Sequence, residues 1–296
     1  MEKKSMGYSQ TRHALIFDSG VGGLSVVSEI RKRLPSLQLT YVADDAFRPY
    51  GEKSEAQLKA RLPCLLWELS EMISPDIIVL ACNTASTTAL DEIRAIIDTP
   101  VIGVVPAIKP AAHMSKTKTI AVLGTPGTVR RQYVDGLIND FASDCHVILK
   151  GSVKLVDIAE KKLSGQPVDL NWIKTEISPM FEGRKGADID TVVLACTHFP
   201  LLRDQLKACV TQSVQWIDSG EAIAKRVETV LADLPVNKKA RVSPECDGIA
   251  FLIGPDTGDL REKAFTSFGF DRIIGLLPEC PALNARRNVY KSYKAL

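Results

Sequence analysis

IIVLACNT at residues 77–84 returns 114 positions later as TVVLACTH at residues 191–198, and the two octapeptides share VLAC in register. Each opens on a continuous aliphatic run, the pattern of a strand buried on both faces, and each ends in a cysteine followed by polar residues. Working outward, comparable short runs recur at HALIFD (13–18), QLTYVAD (38–44), PVIGVV (100–105), TIAVLG (119–124), HVILK (146–150) and VQWIDSG (214–220). Helical stretches fill the intervals, at 22–34, 54–73, 86–97, 128–141, 152–163, 170–184, 200–210 and 220–234. Such alternation specifies an α/β protein with largely parallel sheets, because strands buried on both faces need helices on each side.

The repeat spacing is the size of one α/β domain, so the chain reads as two related domains that each deliver one cysteine to a cleft between them. The first domain is expected to be discontinuous, 12–100 plus 213–296, and the second to span 101–212. A second echo sets Asp18-Ser19-Gly20 beside Asp218-Ser219-Gly220. LPVNKKARVSPECDG (234–248) is polar and rich in turn formers, which reads as a surface loop before a last strand, GIAFLIG.

Composition narrows the function. Apolar residues make up 45% of the 296 residues and charged residues 24%, as in ordinary globular proteins. Thirty-seven Lys and Arg against 35 Asp and Glu leave a net charge of +2, too small to imply a nucleic-acid or anionic-membrane partner. A small-molecule partner fits better. The opening MEKKSMGYSQTRH has no apolar core of the kind a secretory signal needs, and the run from Ile77 to Cys82 is far too short to span a membrane. Seven cysteines (64, 82, 145, 196, 209, 246 and 280) form no CxxC pair and are odd in number. A cytoplasmic protein with reduced thiols is expected.

Cys82-Asn83-Thr84 and Cys196-Thr197-His198 each lie at the carboxyl end of a buried strand, just before a helix, where open α/β sheets bind ligands. Unpaired N–H groups at a helix start can hold a carboxylate and lower a thiol pKa. Alone, either cysteine reads as a small buried hydrophobe. Two in repeated settings suit a reaction that removes a proton from one face of a carbon and returns one to the other. A thiol titrates near pH 8.5, about the range in which small shifts leave one sulfur ionised and the other protonated. The carbanion formed next to a carboxylate needs preorganised donors, and Asn83, Thr84 and Thr197 are of the right type.

The first strand ends in Asp18-Ser19-Gly20-Val21-Gly22-Gly23, a turn that opens a helix. Ser25 stands where a dinucleotide fingerprint needs its third glycine and no Walker lysine follows, so a nucleotide site is rejected. Asp18 or Ser19 is a helix cap or, functionally, Asp18 is an acceptor for a substrate ammonium and Ser19 a polar contact. The loop from Asp44 to Ser54 and the turn Gly124-Thr125-Pro126-Gly127-Thr128-Val129 are polar and punctuated by Pro and Gly; taken alone they are turns and caps. Of four histidines only His198 adjoins a candidate cysteine, and no cluster has metal-ligand spacing, so no metal is expected.

Taken in order, FDSGVGGLSV (17–26), PYGEKS (49–54), ACNTAS (81–86), GVVPAIKPA (103–111), the GT-x-GTV turn (124–129), ACTHFPLL (195–202) and IDSG (217–220) resemble the glutamate racemases of the aspartate/glutamate racemase superfamily. The resemblance runs from about 14 to 235 and is nearest the Gram-negative type. It implies an isomerase that interconverts L- and D-glutamate without pyridoxal phosphate, metal or other cofactor and supplies D-glutamate for peptidoglycan, hence for cell-wall biogenesis and cell shape. On matching positions it implies that Cys196 deprotonates L-glutamate and Cys82 deprotonates D-glutamate. Asp18, Ser19, Tyr50, Gly51, Asn83, Thr84, Thr197 and His198 fall on substrate-binding positions. Asp44, Glu160 and His198 fall on positions that assist the thiols, and Thr125 is a further candidate for that set. Some Gram-negative members take UDP-N-acetylmuramoyl-L-alanine as activator, and a monomer or homodimer is expected.

Three other readings compete on the residues themselves. One cysteine with His198 can form a nucleophilic pair for hydrolysis or transfer, through a covalent intermediate. A two-domain module can close on an amino acid without chemistry. Aspartate can replace glutamate as substrate.

Overall fold

The computed structural model describes residues 12–235, 247–254 and 259–276. The N-terminal extension before residue 12, most of the polar segment 234–248, and Cys246 and Cys280 lie outside the described residues.

Among the described residues ten strands fall into two wholly parallel sheets. The first holds β1 (His13–Asp18), β2 (Gln38–Ala43), β3 (Ile77–Leu80), β4 (Val101–Gly103), β9 (Ile249–Ile253) and β10 (Arg272–Leu276), in the order β10-β9-β2-β1-β3-β4. The second holds β5 (Thr119–Gly124), β6 (His146–Gly151), β7 (Thr191–Ala195) and β8 (Gln215–Ile217), in the order β6-β5-β7-β8. Four strands of the first sheet, β2-β1-β3-β4, therefore repeat the order of the whole second sheet. Cys82 follows β3 and Cys196 follows β7, so the two VLAC segments end equivalent strands.

Alternation along those strands explains their apolar runs. Ile78, Leu80 and Cys82 face one layer of helices and Ile77, Val79 and Ala81 the other. Val192, Leu194 and Cys196 likewise oppose Val193 and Ala195. Leu58, Leu62, Leu66 and Leu69, spaced at helical period on the helix Glu55–Ile73, cover the Cys82 face. Leu155, Ile158 and Ala159 of the helix Lys154–Leu163 cover the Cys196 face.

Several elements differ from the sequence reading. The change of sheet comes after Gly103 and after Ile217, whereas the sequence placed the change of domain at 100 and 212. β4 completes the free edge of β3, with Ile78 opposite Val101, and β8 does the same for β7, with Thr191 opposite Gln215. Pro179 ends the helix expected over 170–184, which stops at Ile177 and continues as a 3-10 turn. The helix Asp259–Thr266 and the strand β10 were not foreseen. The second echo is local only: Asp218 Oδ1 accepts from Gly220 N at 2.7 Å, as Asp18 Oδ1 accepts from Gly20 N at 3.0 Å. Asp218 follows β8, whose counterpart is β4, whereas Asp18 ends β1. No helix among the described residues is long and apolar enough to cross a membrane.

Candidate active site

Both sheets reverse their strand order beside a central strand, β1 in the first and β5 in the second, and such points open a crevice at the carboxyl ends of the strands. In the first sheet the register sets Asp18 opposite Ala43, and the Ala81 amide donates to Phe17 O at 2.7 Å. Asp18, Asp44 and Cys82 therefore emerge from neighbouring strands at one edge. Asp18 is fully buried, with Oδ1 accepting from Gly20 N (3.0 Å) and Ser19 Oγ (3.2 Å), and Oδ2 from Thr197 Oγ1 (3.0 Å). That last bond joins the loops of the two cysteine-bearing halves. Ser25 Oγ adds a second tie, donating to Thr197 O at 2.8 Å.

Cys82 caps the helix Asn83–Arg94, its carbonyl accepting from Ser86 N at 2.9 Å. Its sulfur lies 3.8 Å from Ser19 Oγ. The thiol is pushed up to about 12, first by burial and then by the Asp18 charge; the Ala85 amide and the Ser19 hydroxyl oppose this without reversing it. The helix start, expected to lower the thiol pKa, is thus the weaker influence, because taking a thiolate out of water costs more than one amide returns.

Cys196 has a different neighbourhood. Pro200 and the chain after it form a 3-10 turn, Phe199–Leu202, preceded by His198, so the expected helix over 200–210 is reduced to Arg203–Ala208. His198 Nδ1 lies 3.8 Å from Cys196 Sγ, and Nε2 lies 3.4 Å from Glu160 Oε1, an ion-pair distance without hydrogen-bond alignment. Burial works against the imidazolium, but the thiol and the Glu160 carboxylate outweigh it and raise His198 to about 10. Burial likewise resists charge on Glu160, yet His198, Arg261 and Arg48 hold it down at about 2. Gly22 packs on this turn so closely that a Cβ there would meet His198 Nδ1 at 2.4 Å and Thr197 Oγ1 at 2.5 Å.

The loop after β2 closes the remaining side. Asp44, fully buried, accepts from Tyr50 OH at 2.6 Å and from both Nε and Nη2 of Arg61 at 2.7 Å. Tyr50 is followed by Gly51, where an added Cβ would lie 2.9 Å from Thr125 Oγ1 on the other half. Thr125 caps the short helix Pro126–Val129, and Thr84 lies 3.4 Å from its hydroxyl and 3.0 Å from that of Thr128. Asn83 is buried with its Oδ1 unpartnered, an acceptor left without a donor beside Cys82.

The structure thus gathers Asp18, Ser19, Asp44, Tyr50, Gly51, Asn83, Thr84, Thr125, Glu160, Thr197 and His198 around the two cysteines. The sequence reading missed Asp45, Arg48, Arg61, Thr128 and Arg261. Asp45 and Arg48 lay within the polar loop it singled out, but Arg61 sits inside a helix and Arg261 in the unmatched tail, where no local signal marks them. No group of three or more His, Cys, Asp or Glu side chains among the described residues could hold a metal ion.

Comparison with known proteins gives this geometry a family. Residues 24–227 match the family described as Asp/Glu/Hydantoin racemase. A glutamate racemase of Shewanella sp. (strain ANA-3) is 51% identical over 219 residues, 74% of this chain and 79% of that protein. One from Pasteurella multocida (strain Pm70) is 48% identical over 262 residues, 88% of this chain and 95% of that protein. Among solved structures, Escherichia coli glutamate racemase in complex with L-glutamate and the activator UDP-MurNAc-Ala superposes with a TM-score of 0.83 and 40% identity, covering 90% of this chain and 98% of that one. By sequence and by fold alike, the chain belongs to the Asp/Glu/Hydantoin racemase family.

Proposed function

We propose that the protein is an isomerase that interconverts L- and D-glutamate by two-thiol proton transfer and supplies D-glutamate for peptidoglycan. The observation that carries this reading is the delivery of Cys82 and Cys196 to one site by equivalent strand ends, tied together by the Thr197–Asp18 hydrogen bond of 3.0 Å. Relatives named glutamate racemase, at 51% and 48% identity, supply the substrate.

The two shells assign resting roles. Cys82, pushed up to about 12, waits as the neutral thiol. Cys196 instead faces the His198 imidazole, whose Nδ1 lies 3.8 Å from its sulfur. Cys196 takes the α-proton of L-glutamate: the Cα–H bond breaks, S–H forms, and the electron pair stays on the α-carbon and its carboxylate. Cys82 then gives its proton to the opposite face, S–H breaks, and D-glutamate leaves. The proteinic charges have exchanged, and the reverse turnover restores them. Asn83, Thr84 and nearby backbone N–H groups offer donors to the carboxylate, while Asp18 and Ser19 accept from the ammonium. Asp44 with Tyr50, and Thr125 at the facing turn, shape the wall around them.

A cytoplasmic location, where thiols remain reduced, fits this chemistry. An activator of the UDP-MurNAc-Ala kind, as bound by the Escherichia coli protein, and a monomer or homodimer belong to the same reading. The two sheets are read as two domains that close on glutamate. Incubation with L-glutamate in deuterated water should yield D-glutamate bearing α-deuterium, and Cys82→Ala and Cys196→Ala should each abolish racemisation. Full racemisation by either variant would sink the two-thiol mechanism.

A further inference from the structure

Arg261 belongs to the helix Asp259–Thr266, beyond residues 24–227 that match the family, yet its guanidinium is nearly inaccessible. Its Nη2 donates to Asp45 Oδ1 at 2.7 Å, and its Nη1 lies 3.5 Å from Glu160 Oε1. Arg48 repeats the bridge from the other side, with Nε at 2.9 Å from Asp45 Oδ1 and Nη1 at 2.7 Å from Glu160 Oε2. Two arginines and two carboxylates thus form a closed ring that spans the β2 loop, the helix Lys154–Leu163 and the C-terminal helix. Glu160 is the member that faces His198, and His198 faces Cys196.

Resting on the racemase reading, we propose that Arg261 is a positioning residue for the Cys196 half of the reaction, fixing Glu160 so that His198 stays aligned on the Cys196 sulfur. The geometry is one-sided. Both oxygens of Glu160 are engaged, Oε2 by Arg48 and Oε1 by Arg261 and His198 together, so the carboxylate can rotate away from the imidazole only by breaking the ring. A planar fork that reaches two carboxylates suits this task, and a lysine ammonium does not. Among the described residues no such ring backs Cys82, whose polar neighbours are Ser19 and the Ala85 amide, with the Asp18 carboxylate as the nearby charge. The relation also gives the helix Asp259–Thr266 a purpose: it packs against the helix Lys154–Leu163 and, through Glu160, braces the imidazole beside Cys196 from behind.

The test exploits the symmetry of a racemase. Because the two products are enantiomers, kcat/KM must fall equally in both directions for any variant, so a rate alone cannot locate the damage. Isotope effects can. For Arg261→Met we expect kcat/KM to fall about tenfold to a hundredfold, as for a misplaced catalytic group. The primary isotope effect should rise with L-[2-²H]glutamate, whose proton Cys196 takes, and fall with D-[2-²H]glutamate. Glu160→Gln should give the same asymmetry, and the double variant should be no worse than the poorer single one. Arg261→Lys, which keeps the charge, should fold as wild type and show a smaller shift of the same sign; it carries the test if the methionine variant does not fold. Unchanged isotope effects in Arg261→Lys and Glu160→Gln, or a shift favouring the D side, would overturn the inference. A wild-type protein that does not racemise glutamate would instead overturn the proposed function.

Discussion

The segments around Cys82 and Cys196 end equivalent strands of equivalent sheets, and they surround their sulfurs with opposite chemistry. Cys82 lies over the start of a full helix, yet its burial first and the Asp18 charge second disfavour a thiolate, and the helix-start amide of Ala85 does not reverse this. Cys196 precedes a tight 3-10 turn that folds His198 back onto its sulfur, with Glu160 behind the imidazole. A duplicated scaffold therefore supplies position, while the residues after each cysteine supply direction. Asn83-Thr84 continue a helix; Thr197-His198, followed by Phe199 and Pro200, cannot enter one directly and leave the imidazole free to turn inward.

The strongest way to break this contrast is to remove one sulfur at a time. Cys82→Ala and Cys196→Ala should each lower racemisation by about a thousandfold or more, within the range expected of a proton-transfer group. Their residual exchange should differ: Cys82→Ala should still wash deuterium into L-glutamate, and Cys196→Ala into D-glutamate, as read by mass spectrometry of each enantiomer. Exchange into the same enantiomer by both variants would contradict the assignment of faces. Next in size, His198→Gln should cost about tenfold to a hundredfold in kcat/KM, since it disables the partner of one sulfur only.

Close packing offers a finer comparison. Gly22→Ala drives a methyl into His198 and Thr197 and should cost about 1–3 kcal/mol in urea unfolding, with loss of activity. Gly20→Ala, whose Cβ would meet only Glu160 Oε1 at 3.6 Å, should stay near wild type in both. Equal effects at the two glycines would show that the turn is loose. Tyr50→Phe deletes the 2.6 Å bond to Asp44 and should cost about 1 kcal/mol, because Arg61 still satisfies that carboxylate.

The same contrast bears on stability against pH. His198 is raised to about 10 in the folded protein from 6.5, so its contribution is fully present below about 6.5 and is lost as pH rises towards 10. Glu160, lowered to about 2 from 4.5, contributes above about 4.5 and loses that contribution as pH falls through 2. Urea midpoints of His198→Gln should accordingly fall less steeply than wild type between pH 7 and 10. Parallel slopes would mean that the imidazole is not charged in the folded state.

Much of the frame was legible because its signals are local. A buried parallel strand must be apolar at every position, so HALIFD, IIVLAC, TIAVLG and TVVLAC announce themselves, and the repeated VLAC marks equivalent strand ends before any coordinate is known. The strands VIG and QWI pair with the sheet of the preceding strand rather than opening the next, a pairing the sequence does not mark because neither segment carries a sign of which free edge it completes. Asp18, Tyr50, Asn83 and Thr197 could be singled out because they sit in turns that follow strands. What the sequence by itself determined is thus the α/β alternation, the duplication and the placing of two thiols at strand ends. Only the tertiary structure decided that those thiols are chemically unequal, that Thr197 reaches Asp18, and that Arg48 and Arg261 lock Glu160 behind His198. The reason is physical: burial, facing charge and hydrogen bonding set the state of a thiol or an imidazole, and each depends on groups that approach from distant parts of the chain, as Arg261 does from the far end of the sequence.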